Sequence, residues 1–203
     1  MTNQFEAELR FANHYLTRLR KAGELYDQGG EELREGLHLF DSEAGNLERA
    51  QSWAENQADE GKAAKICSSF PDAAPRLLDL RQHPRDRIRR LEAALAAARR
   101  LHDHFAEGRH LNNLALAYSR IGKLVNAIEL FKASSEIFQL AADNRSDAEV
   151  LANMGYAYAS MGEASLAITV SEKAIALAQQ YGDRRSEGIG LHSIVPNKTG
   201  SQP

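Results

Sequence analysis

The densest collection of titratable side chains in this chain of 203 residues is HDHFAEGRH, which puts His102, Asp103, His104, Glu107 and His110 within nine positions. Imidazoles and carboxylates are metal ligands, so a metal site is one reading of this stretch. The same phase of the chain recurs forty and eighty residues later as DNRSDAEV and DRRSEGIG, without histidine. A feature that its own copies lack is not demanded by the fold, so the expectation is a solvated turn and no metal. A second cluster, RQHPRDRIRR at 81–90, carries five arginines. Counterion release could draw an acidic partner or nucleic acid to it. Asp79, Asp86 and Glu92 are interspersed, however, and no aromatic residues are interleaved for base stacking, so a solvated helix face is expected. Cys67 is the single cysteine, beside Ile66 and Phe70, with no electropositive activator in view; it reads as a buried structural thiol. Gly61-Lys62 and Gly122-Lys123 lack the upstream glycine and following Ser or Thr of a phosphate-cradling loop. Neither HExxH nor GxSxG occurs. No nucleophile, base and orienting group can be assembled along the chain, so no enzyme and no cofactor are expected.

The elements that would position such residues are helices. The chain holds 32 alanines and 24 leucines against 9 isoleucines, 4 valines and 4 threonines, a balance that favours an all-α fold. A hydrophobic share of 43% with 26% charged residues belongs to an ordered globular protein. The net charge of −3 provides no general field for a polyanion, which argues against a nucleic-acid partner. One cysteine excludes an internal disulfide framework. No apolar run approaches the roughly 20 residues that span a bilayer. The opening MTNQFEAELR has acids and no apolar core, so no signal peptide, no membrane and a cytoplasmic address are expected.

Shifted by forty, the second half lies on itself. Segments 103–142 and 143–182 share nine identities, among them Leu111/Leu151, Asn113/Asn153, Ala117/Ala157, Tyr118/Tyr158, Gly122/Gly162, Ala127/Ala167 and Ile128/Ile168. Asp103, Asp143 and Asp183 mark the phase three times. Leu111, Leu114, Ala115, Tyr118 and Ile121 keep the spacing of one helical stripe. Gly122 ends that helix, and Leu124, Ala127, Ile128, Phe131 and Ser134 begin a second stripe at once. Each unit is thus an antiparallel helix hairpin, with the aspartates placed as N-caps or turn residues. One hairpin cannot bury both stripes, so neighbours must stack.

The small residues Ala115 and Gly155, aromatics Tyr118 and Tyr158, turn glycines Gly122 and Gly162, and alanines Ala127 and Ala167 resemble those of tetratricopeptide repeats. The forty-residue length and the NLALAY wording at 113–118 are similar to the arrays of kinesin light chain and of bacterial NB-ARC-type signalling ATPases. The resemblance implies a right-handed α-solenoid whose first helices line a concave face. It implies that Arg109, Asn112, Asn113, Leu116, Ser119 and Arg120 of one repeat, then Glu149, Asn153, Tyr156 and Ser160 of the next, face that groove. Groove asparagines in such repeats often clamp a peptide backbone, donors and acceptor together. An asparagine bonding between adjacent helices fits the same location, and both uses stay open.

The first eighty residues are helical but off-pattern. A helix is expected over 5–28, ended by Gly29-Gly30, then a short one over 31–40 and another near 43–58 capped by Asp41 or Ser42. A further helix over 60–70 would break or kink at Pro71, and one would begin near Pro84. The expected organisation is an N-terminal helical cap over 1–58 and repeats over 59–195, of which 59–102 is degenerate and 183–195 partial. A disordered tail is expected over 196–203. The function expected is a non-catalytic interaction module or scaffold holding a partner peptide or helix in its groove. Alternatives are a regulatory ligand-sensing array of the signalling-ATPase or transcription-regulator kind, and a self-assembling scaffold that forms a homo-oligomer through residues 184–195.

Overall fold

The computed structural model describes residues 2–194; the tail expected over 196–203 lies outside them. Among the described residues the chain forms ten α-helices and no strand. The described residues fall into two compact units, divided between His110 and Leu111.

The first unit contains α1 (Thr2–Gln28), α2 (Gly30–Asn56), α3 (Gly61–Ala73), α4 (Pro75–Arg81), α5 (Pro84–Arg100) and the start of α6 (His104–Arg120). Its core gathers Leu9, Leu16 and Leu19 of α1, Phe40, Leu47 and Ala50 of α2, and Ile66, Cys67 and Phe70 of α3. Helix α2 runs unbroken where two shorter helices were expected. Gly36, Phe40, Leu47, Ala50 and Ala54 are all buried along it, one continuous apolar stripe that leaves no reason to stop at residue 41. Asp41 does not cap a helix. It accepts two hydrogen bonds from Arg81, at 2.9 and 2.8 Å. Pro71 lies inside α3, which continues to Ala73 before Pro75 opens α4. Pro84 opens α5 as expected.

The arginine-rich stretch is a solvated face only in part: Arg81, Arg85 and Arg89 are exposed, Arg87 and Arg90 are not. Arg87 and Arg90 are 3% and 5% exposed. Arg87 pairs with Asp79 at 3.2 Å, Arg89 with Glu55 at 2.7 Å, and Arg90 with Glu48 and Gln51. The acids are the chain's own, so these charges knit α2 and α4 to α5.

The second unit holds the rest of α6, then α7 (Leu124–Leu140), α8 (Asn144–Met161), α9 (Ala164–Tyr181) and α10 (Arg184–Ile194). Gly122 and Gly162 take φ of 76° and 81°, the left-handed conformation that closes each hairpin. Asp103, Asp143 and Asp183 each cap the following helix, accepting from the backbone N–H of Ala106, Ser146 and Ser186. Partial burial works against the Asp183 charge, but the hydrogen bonds from Ser186 and Arg185 hold its carboxyl below the ordinary range. Helix α8 packs against α7, α9 and α10, and α9 packs against α10, so α8 meets both its successor and the helix after it, as in stacked hairpins. Ala115, Ala127, Phe131, Phe138 and Tyr158 are buried in this core, with Tyr118 packed against it.

The two hairpins of this unit are filled differently at matching positions. Ala115 and Phe131 in the first become Gly155 and Ser171 in the second. A Cβ on Gly155 would stand 2.2 Å from Ser171 Oγ, a fully buried hydroxyl without a hydrogen-bond partner. Gly155→Ala is expected to destabilise by about 1–3 kcal/mol through that clash. Gly155→Ala combined with Ser171→Ala removes the obstructing atom and the unsatisfied hydroxyl, and adds alanine's helix preference of about 1 kcal/mol. The pair is expected to exceed the parent in stability, which a double-mutant cycle of urea unfolding would read.

No helix is long and apolar enough to cross a membrane among the described residues.

Candidate functional site

Within the second unit, the first helix of each hairpin presents residues to one concave groove. Leu116, Ser119 and Arg120 come from α6, Asn153, Tyr156 and Ser160 from α8, and Arg185, Gly188, Ile189 and His192 from α10; Gly122, Leu124 and Arg184 complete a cavity of about 820 Å³. The three helices are joined across the groove floor. Asn153 donates from Nδ2 to Asn112 Oδ1 at 3.1 Å, tying α8 to α6. The ring of Tyr156 stacks on His192, centroids 6.2 Å apart and planes 20° apart, tying α8 to α10. The wall is apolar from Leu116, Leu124, Ile189 and the half-exposed Tyr156, with amide, hydroxyl and guanidinium groups set into it. Such a surface takes a segment with alternating apolar and polar groups. A smaller cavity of about 210 Å³ in the first unit sits among Leu19, Phe40, Leu47 and the Arg90–Glu48 pair, too small for a peptide.

Of the ten groove residues expected from sequence, Leu116, Ser119, Arg120, Asn153, Tyr156 and Ser160 line this cavity. Asn112 is buried and serves as the acceptor for Asn153, the interhelical use of the amide. Asn113 is half-buried and lies off the lining. Glu149 reaches Arg185, 3.5 Å away. Arg109 turns instead into the first unit, where Nη2 meets Asp72 at 2.8 Å and the guanidinium lies over the Phe105 ring. Sequence reasoning missed the groove's α10 bank, because Arg184, Arg185, Gly188, Ile189 and His192 sit in a partial third copy with little of the repeat's wording left.

The first unit holds a second polar cluster. His110 is fully buried, its Nε2 3.0 Å from Ser68 Oγ and its Nδ1 facing Asp72 Oδ1 at 3.6 Å. With the ring proton on Nδ1, Nε2 accepts from the Ser68 hydroxyl. A hydroxyl and an imidazole 42 positions apart thus meet in a hydrogen bond, with a carboxylate near the ring but beyond hydrogen-bond distance of it. Ser68 is 6% exposed and His110 not at all, so the hydroxyl has no opening to a substrate and the cluster works as packing. Burial drives the His110 ring down to about 4, aided by Arg109 and Arg87. Burial also lifts the Asp72 carboxyl to about 6 against the pull of the same two arginines. Cys67 next to Ser68 is pushed up to about 12, chiefly by burial, and is inert as a thiolate. The remaining members of the HDHFAEGRH cluster disperse: Asp103 caps α6, and Glu107 accepts from Arg99 at 2.7 Å with His104 beside it.

A family model described as tetratricopeptide repeat matches residues 109–180, which covers α6 from Arg109 through most of α9. No curated protein matches the chain.

Proposed function

Residues 109–180 are tetratricopeptide repeats, modules that generally mediate protein–protein interaction, and from this premise we propose that the groove of the second unit holds an extended segment of a partner protein. The observation that supports this most is the convergence of three first helices on one concave cavity of about 820 Å³, apolar in its wall and polar along its floor. The partner's side chains fill the space between Leu116, Leu124 and Ile189, while its backbone meets Ser119, Asn153 and Ser160. The chain acts without catalysis in this reading, as a scaffold. The cavity also lies within the range of about 300–1,000 Å³ typical of small-molecule sites, which favours ligand sensing as the second reading.

A photo-crosslinking side chain placed at Tyr156 in the native cell is expected to trap discrete polypeptides. The same group at Glu172, exposed on α9 and away from the groove, is expected to trap none of them. Identical products from both positions would refute the groove as the binding face.

A further inference from the structure

We propose that the cavity of about 210 Å³ in the first unit is a binding site for a small uncharged molecule, an aromatic ring carrying a carboxamide. The site is separate from the groove of the second unit and does not depend on it. Its walls come from five helices of one unit. Leu19 of α1, Phe40 and Leu47 of α2, Phe70 of α3 and Leu78 of α4 give it an apolar floor, and all five are buried. An apolar cavity of about 150 Å³ is large enough to take benzene, so this one has room for a ring and a small substituent. Two phenylalanines in the wall favour a ring over an open chain.

The polar lining selects the substituent. Arg90, 5% exposed, donates through its two Nη atoms to Gln51 and Glu48, while its Nε–H is buried with no partner. Gln82, in the link between α4 and α5, buries its Oε1 with no partner. Both residues line the cavity, so the site lacks one acceptor and one donor, and the desolvation of two polar atoms is not offset. A carboxamide supplies both. Its oxygen accepts from Arg90, and its N–H donates to Gln82, whose terminal torsion is soft enough to meet it. An ammonium group would leave the Arg90 N–H unanswered. A carboxylate would leave the Gln82 oxygen unanswered and would share the lining with Asp86. It would also find no spare cation, since Arg81 is held by Asp41 and Arg90 by Glu48. The pairing of the arginines thus makes this a site for a neutral ligand.

The test is a magnetic-resonance titration of the full chain, its leucine methyl groups labelled, with benzamide, acetophenone and benzoate. Acetophenone has the shape of benzamide without the N–H donor, and benzoate adds a charge. Benzamide is expected to bind with a Kd of about 1 mM or tighter and to show ligand-to-methyl contacts at Leu19, Leu47 and Leu78. Acetophenone and benzoate are each expected to bind about fivefold or more weakly. Gln82→Met keeps the length of the side chain and removes the acceptor, so benzamide is expected to fall to within about twofold of acetophenone. Ala44→Phe, at an exposed position in the lining, is expected to block the mouth and abolish binding of all three. Equal affinity for benzamide and acetophenone on the parent, or a preference that Gln82→Met leaves intact, would overturn the carboxamide assignment. No binding of benzamide by about 10 mM, contacts to methyl groups elsewhere, or full binding to Ala44→Phe would overturn the cavity as a site.

Discussion

Alanine at position 36 is expected to destabilise the N-terminal unit by about 3 kcal/mol, at the upper end of ordinary overpacking, and to lower its melting temperature by on the order of 10 °C. Gly36 lies in the interior of α2, where α2 crosses α1. A Cβ there would stand 2.6 Å from the carbonyl oxygen of Ala22 and 2.7 Å from the backbone nitrogen of Tyr26. Both obstacles are backbone atoms within a 27-residue helix, so no rotamer change relieves the contact and the two helices must part. Parting them strips contacts from Leu25, whose Cβ is also near, and from the core that α1 and α2 share. Alanine's better helix propensity, about 1 kcal/mol, works in the opposite direction and is outweighed. Gly45, exposed on the same helix with no atom within 4 Å of its would-be Cβ, is the control. Gly45→Ala is expected to stabilise by about 0.5–1 kcal/mol. Thermal unfolding of the two variants should therefore move in opposite directions; a shift of the same sign would show that α1 and α2 do not approach as described.

The buried Asp72–His110 contact gives a pH response visible only when one member is removed. For His110 the folded value of about 4 lies below the ordinary 6.5. The unfolded chain takes up a proton first, so this group's stability is complete above pH 6.5 and is lost as pH falls toward 4. For Asp72 the folded value of about 6 lies above the ordinary 3.8. The folded chain takes up a proton first, so stability is gained as pH falls from 6 toward 3.8. The two windows nearly coincide and their slopes oppose, so the pair leaves the parent almost flat between pH 6 and 4. Asp72→Asn should expose the histidine alone and lose stability relative to the parent on acidification, approaching about 1.4 kcal/mol per pH unit. His110→Gln should expose the carboxyl alone and gain by a similar slope. Urea midpoints of the three proteins from pH 7 to 4 give these slopes directly, and parallel curves would exclude the assigned environments.

The parts of the fold that the sequence made plain are those set by neighbours within one turn or one repeat. Gly122 and Gly162 announce a left-handed stop because few other residues adopt it cheaply, and Asp103, Asp143 and Asp183 announce caps because their carboxylates need only the next turn's N–H groups. The parts it hid depend on who lies across. The forty-residue phase aligns Asn113 with Asn153, yet it is Asn112 that Asn153 meets, one residue out of phase. Both members of the Asn112-Asn113 pair offered an amide, and periodicity alone could not choose between them. Ser68 and His110 meet through tertiary packing with no local pattern to signal it. The arginines of 81–90 seemed solvated because charge runs usually are. A signal was present on α2, where Asp41, Glu48 and Glu55 recur every seven residues on one face and answer Arg81, Arg90 and Arg89.

The forty-residue spacing has a further consequence at the joints between hairpins. His102 and Ala142 hold φ of 54° there, a conformation disfavoured for side-chain-bearing residues, while the third joint places Gly182 at 68°. Every joint carries the same two instructions in the same order, a left-handed residue and then an aspartate. Duplicating or deleting one whole period would therefore leave every joint legible and every stripe facing inward. A change of any other length would rotate the downstream stripes out of line, so such a lineage can grow or shrink only in whole steps.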